Sequence, residues 1–158
     1  MPAGRRAQLE GYLRDHGVSF KLMEHAHSES AVAEAEAAHL PAEQTAKTVV
    51  LHTPTGYQFA VIPASERLDL HKAAAALELA AQEVRLATEA EMASDFSGYE
   101  VGAIPPIGPD LPAALIDMRM LVYKQVLCSA GDHEHSLLVD PADIARVSGA
   151  RTTDLRED

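Results

Sequence analysis

The residues best suited to holding a ligand by its backbone are Gly98-Tyr-Glu-Val-Gly-Ala-Ile-Pro-Pro-Ile-Gly108. Glycines let N–H groups come close to a bound carbonyl oxygen, and prolines stiffen the chain that carries them. A segment of this kind can present fixed amide donors to a developing oxyanion. By composition alone, the ordinary reading is a surface connector built from turn residues. Lys47 is the second candidate, because it stands inside the apolar run 46–51. A lysine there usually lies on the solvent face or at a sheet edge.

Histidines and the single cysteine offer other chemistry. His25 and His27, and again His133 and His135, are two residues apart, which in a strand puts both rings of a pair on one face. Imidazole is the commonest protein metal ligand. Yet no His-Glu-x-x-His signature accompanies them, so surface or hydrogen-bonded histidines are the favoured reading and no metal is expected. Cys128 precedes Ser129 and lies near His133, but no recognisable nucleophile motif surrounds it. A buried structural thiol is expected. No cofactor is implied.

These residues must be positioned by elements the sequence partly reveals. Leu9, Tyr12 and Leu13 are at helical spacing within residues 5–16, and Gly17 stands as a stop. Residues 18–22 alternate as a strand, and an Ala/Glu-rich helix is expected over 30–38. The β-branched runs 46–51 and 57–62, joined by Thr53-Pro-Thr-Gly56, predict a hairpin. A helix over 70–80 and a short strand over 84–87 follow, and then Thr88 with Glu91 forms a capping-box pattern for a helix ending near Gly98. Residues 98–112 hold three glycines and four prolines, so they are an ordered loop or a linker. Strands are expected at 114–118, 126–129 and 135–139. Asp140-Pro141 then opens a last helix that stops near Gly149. The interleaving predicts an α+β fold with a mixed, curved sheet flanked by helices. A single domain over 1–150 is expected, with 151–158 as a frayed polar tail.

Composition limits the function. The 158 residues carry a formal charge of −11, which argues against broad neutralisation of nucleic-acid phosphates. It leaves room for an enzyme that grips only one end of an RNA through a local cationic site. No apolar run approaches the roughly 20 residues of a membrane span, and the opening MPAGRRAQLEGYLRDHG lacks the apolar centre of a signal peptide. A cytoplasmic protein with no DNA or membrane partner is expected.

The order Ala46-Lys47-Thr48, Leu68-Asp69-Leu70, Gly102-Ala-Ile-Pro-Pro106-Ile-Gly108 and Gly131-Asp-His-Glu-His135 resembles the YbaK/prolyl-tRNA-synthetase-associated editing family over about residues 18–149. The resemblance implies hydrolysis of the ester of mischarged aminoacyl-tRNA. It also implies a free-standing domain, since the chain lacks synthetase length. Lys47 and Gly102 are then the catalytic residues, Lys47 near the ribose and phosphate of the terminal adenosine. Thr48, Ala103, Ile104, Pro105, Pro106 and Gly108 would bind substrate, the loop amides holding the ester carbonyl. Gly131 and His135 would wall the amino-acid pocket. The implied partner is a tRNA acceptor end, with an aminoacyl-tRNA synthetase as a further candidate. An aminoacyl ester is already activated, so positioned water, oxyanion stabilisation and a neighbouring ribose hydroxyl can suffice without a side-chain base. The other function classes are a noncatalytic tRNA-binding or synthetase-associated module and a metal-dependent hydrolase.

Overall fold

The computed structural model describes residues 3–158. Helix α1 (Ala3–Asp15) lays Leu9 and Leu13 into the core, and Gly17 at φ 71° turns the chain into β1 (Phe20–Glu24). Helix α2 (Ala31–Ala37) begins where the Ser30 hydroxyl accepts from Ala33 N–H. Strands β2 (Ala46–Thr53) and β3 (Gly56–Pro63) form the expected hairpin, with Thr53 opposite Gly56. Then come α3 (Leu70–Ala76), β4 (Arg85–Leu86), α4 (Glu89–Asp95) and, after a long loop, β5 (Ala114–Asp117). Strands β6 (Val126–Ser129) and β7 (His135–Val139), helix α5 (Pro141–Ser148) and β8 (Arg151–Thr153) complete the chain.

The mixed sheet has the order β4-β2-β3-β5-β8, antiparallel on the β2 side of β3 and parallel from β3 through β5 to β8. A second, antiparallel sheet has the order β1-β7-β6. It meets the first at an isolated parallel bridge between Thr45 and Leu127. The fold is thus α+β as expected, with the curvature taken up by a division into two sheets.

The mixed sheet is covered on both faces, which explains why its strands read as nearly continuous apolar runs. Phe59 and Val61 of β3 point into a core shared with Leu9, Leu13, Ile116, Leu137 and Ile144. Their neighbours Ala60 and Ile62 point the other way, onto Leu51, Ala73, Leu115 and Leu155.

Two expectations are corrected. The helix expected over 70–80 closes after Ala76, because Glu78 takes a left-handed φ of 60° and Leu79 N–H turns back to Ala74 O. More consequentially, residues 151–158 are not frayed. They supply β8, which pairs with β5, and Leu155, which is 0% exposed. Leu155 N–H donates to the buried Asp117 carboxylate at 2.8 Å, and Asp154 accepts from both Lys72 Nζ and Arg119 at 2.8 Å. One buried leucine and two paired carboxylates hold down a segment whose composition is otherwise that of a solvated tail.

Candidate active site

A cleft of about 300 Å³ lies along the outer edge of β2. It exists because β2 lacks a neighbouring strand there. β6 pairs with this stretch only at the Thr45–Leu127 bridge, and β4 pairs only at Leu51 and His52, with Ala87 N–H closing onto Val50 O at 2.9 Å. Between those points Ala46, Lys47, Thr48 and Val49 form one wall. Leu86, Ala87, Met92 and Ile104 add apolar lining, and Glu29, Ser30, Gly102 and Ser129 polar lining.

Lys47 donates from Nζ to Glu66 O at 3.0 Å, and no carboxylate pairs with it among the described residues. Burial, with a smaller contribution from Arg67, holds the ammonium below its ordinary value. The result is a half-buried cation with donor capacity left for an anionic or carbonyl ligand.

The loop from 98 to 112 is ordered, not a linker, because Ile104 and Ile107 are built into the core. Its middle, residues 103–108, is buried throughout. Gly102 has φ 87°, a left-handed conformation, and a Cβ there would lie 3.4 Å from His133 Cε1 and 3.7 Å from Glu29 O. A side chain would therefore be strained by the backbone conformation, and its Cβ would touch both neighbours at van der Waals distance. The loop amides divide in use. Ala103 N–H donates to Glu100 O at 3.0 Å, whereas Gly102 N–H and Ile104 N–H have no acceptor among the described residues. Both of those residues line the cleft.

Of the residues named from sequence, the structure thus brings together Lys47, Thr48, Gly102 and Ile104. Ala103, Pro105 and Pro106 are buried but not part of the lining, and Gly108 lines a separate cavity of about 110 Å³ with Tyr12, Leu111 and Val147. His135 instead lines a second, polar cavity of about 200 Å³ with Arg6, His27, Glu100, Asp132, His133 and Glu134. There His135 Nδ1 donates to Asp132 Oδ1 at 2.8 Å, and Arg6 stands 3.7 Å from the same carboxylate. Burial opposes ionisation of Asp132, but hydrogen bonds from His135 and Glu134 N–H outweigh it and hold the carboxyl below its ordinary value. Gly131, at φ 105°, accepts from Glu100 N–H at 2.8 Å and so ties this cavity to the glycine loop. The two cavities adjoin where His133 faces both Gly102 and, at 3.8 Å, the Glu29 carboxylate.

Several cleft-lining residues had no role assigned from sequence, Glu29, Ser129, Leu86 and Met92 among them. Ser129 stands just before the Gly131 motif, which is the signal that could have drawn attention to it. Leu86 and Met92 carry no such signal, since only packing brings them to β2. Cys128 is 1% exposed and packs in the core, and burial, with Glu34 nearby, pushes its thiol up, so it is not poised to attack. Among the described residues no group of three or more His, Cys, Asp or Glu side chains is arranged to hold a metal, and no helix is long and apolar enough to cross a membrane.

A family model for the aminoacyl-tRNA editing domain matches residues 25–147. The chain belongs to that family. Among solved structures, a proposed trans-editing enzyme for prolyl tRNA synthetase superposes with a TM-score of 0.83 at 28% identity, covering 100% of this chain and 99% of that one. A hypothetical protein superposes equally well, TM-score 0.83, at 23% identity over 94% of this chain and 98% of its own. A scaffold used for grafting linear epitopes gives 0.83 at 23% identity over 99% of each chain. These last two speak for the fold alone. No curated protein matches the sequence significantly. The YbaK-type resemblance read from Lys47, Gly102 and Gly131 is thereby established.

Proposed function

We propose that this editing domain is a deacylase that acts in trans on mischarged aminoacyl-tRNA, hydrolysing the ester between the amino acid and the terminal ribose. The observation that carries the reading is the cleft itself, lined by a half-buried cation and by Gly102 and Ile104, whose N–H groups have no acceptor among the described residues. The likeness to a proposed trans-editing enzyme across the full length of both chains supports it.

In this mechanism Lys47 holds the ribose–phosphate end of the terminal adenosine, while Thr48 and the β2 edge align it. Water adds to the ester carbonyl carbon, and the resulting oxyanion is met by the N–H groups of Gly102 and Ile104. The C–O bond to the ribose then breaks. The leaving ribose oxygen takes a proton, relayed by the adjacent ribose hydroxyl, and the products are a free amino acid and uncharged tRNA. No side-chain base is required, since the ester is activated and positioning does much of the work. His135 acts from the adjoining cavity, and Gly131 through its bond with Glu100 N–H, as a wall toward the amino-acid end.

A deacylation panel tests the reading. Purified protein is incubated with alanyl-, seryl-, cysteinyl- and threonyl-tRNA, and loss of the ester is followed with time. Accelerated hydrolysis of at least one is expected, and none above the uncatalysed rate would remove the proposal in favour of a noncatalytic tRNA-binding module.

A further inference from the structure

Glu34 carries a carboxyl group into the interior from a short helix whose next glutamate, Glu36, faces solvent. It is 4% exposed. The two other buried carboxylates each face an arginine, Asp117 with Arg119 and Asp132 with Arg6, but no lysine or arginine pairs with Glu34 among the described residues. Its partners are hydroxyls. Ser129 Oγ donates to Oε1 at 3.2 Å and Ser136 Oγ donates to Oε2. Ser129 and Ser136 are opposite each other in the β6–β7 register, which puts both on one face beneath α2. His25 Nε2, 2.7 Å from Ser136 Oγ, extends the chain of contacts.

A carboxylate buried without a cation is costly, and hydrophobic packing would stabilise the helix better. What Glu34 achieves is local: it fixes the proton of Ser129, a residue that lines the cleft. A serine hydroxyl has one proton and two lone pairs. With that proton committed to Oε1, Ser129 can offer a ligand only its lone pairs, so the ligand group beside it must be a donor. Protonation of Glu34 on Oε2, toward Ser136, leaves Oε1 an acceptor and preserves this polarity. In an aminoacyl ester the charged donor next to the reacting carbonyl is the α-ammonium group.

We infer that Glu34 is a positioning residue that locks Ser129 as the hydrogen-bond acceptor for the α-ammonium group of the bound aminoacyl ester. The inference rests on the deacylase reading and adds the group by which the amino acid is held. Acetylation of the α-amino group removes the charge and leaves a bulkier amide, so it separates this contact from the rest of the substrate.

The test uses the four aminoacyl-tRNAs of the panel, each with a free and with an N-acetylated α-amino group, and measures kcat/KM. The wild type should prefer the free amine by about tenfold or more, as for a charge-assisted hydrogen bond. Glu34→Gln should reduce the preference to within about threefold, mainly through KM, because the carboxamide no longer dictates which way the Ser129 proton points. Ser129→Ala should do the same, and the double variant should lose no more than either alone. Circular dichroism establishes that each variant is folded, and if Glu34→Gln does not fold, Ser129→Ala decides alone. Turnover without the preference in the wild type, or an unchanged preference in a folded variant, overturns the inference and leaves the deacylase standing. No turnover of any unmodified aminoacyl-tRNA overturns the deacylase, and the inference with it.

Discussion

The cleft beside β2 and the cavity around His135 adjoin at His133, yet they differ in what their polar groups already do. The His135 cavity holds the denser chemistry: an arginine, three histidines and three carboxylates. Most of those groups already have partners, His27 among them through Glu29. Asp132 takes His135, Glu134 N–H and Arg6, and His133 sits 3.6 Å from Glu100 and 3.8 Å from Glu29. The cleft is chemically sparser, but Lys47 has one carbonyl partner and two loop amides have none among the described residues. A site is better recognised by uncommitted donors in an enclosed space than by the number of titratable residues. Catalysis requires groups free to meet the transition state.

The largest effect is expected in the cleft. Lys47→Ala and Gly102→Val should each lower single-turnover deacylation on the order of 10²-fold while circular dichroism shows the fold retained. Gly102→Val acts through the left-handed φ and the approach to His133. Full activity in a folded Lys47→Ala would break the comparison at its strong side.

His135→Ala should cost about tenfold or less, chiefly in KM, since its ring reaches the cleft only through neighbours. A loss equal to that of Lys47→Ala would show that the two cavities work as one site.

A smaller effect separates the two regions by pH. Burial raises Glu34 above its ordinary 4.5, so the stability associated with its neutral form is present below that value and is lost as pH rises through the raised one. Asp132 is held below its ordinary 3.8, so its contribution is present above 3.8 and is lost as pH falls through the depressed value. Thermal melts across this range should therefore show Glu34→Gln gaining on the wild type as pH rises, and Asp132→Asn gaining as pH falls. The same direction for both would contradict the assigned environments.

The smallest change is expected for Cys128→Ala: a chemical step within about twofold of wild type and a stability loss of about 1 kcal/mol, from packing alone. An inactive, folded Cys128→Ala beside an active Lys47→Ala would replace the amide mechanism with a cysteine nucleophile.

Where folding depends on neighbours along the chain, the sequence was sufficient. The Thr88–Glu91 capping box forms with both its hydrogen bonds, Asp140 caps α5 ahead of Pro141, and Gly149 ends that helix at φ 65°. The β2–β3 hairpin follows from its turn and β-branched runs, and the ordered motifs of Lys47, Gly102 and Gly131 were enough to point to the family. Each of these rests on contacts within a few residues or on residue types in order.

Tertiary structure alone decided the rest. Glu34 stands in an Ala/Glu-rich helix where a glutamate reads as solvated, and only the arrival of Ser136, 102 residues later, gives it a buried partner. Residues 151–158 read as polar, and only the Asp117 carboxylate and the gap beside Ala73 and Leu115 make Leu155 a core residue. The placing of Ser129, Leu86 and Met92 on one cleft, and of His135 in the next, depends on where β6 parts from β2. Such pairings are set by the global packing of apolar surface, which no local pattern encodes.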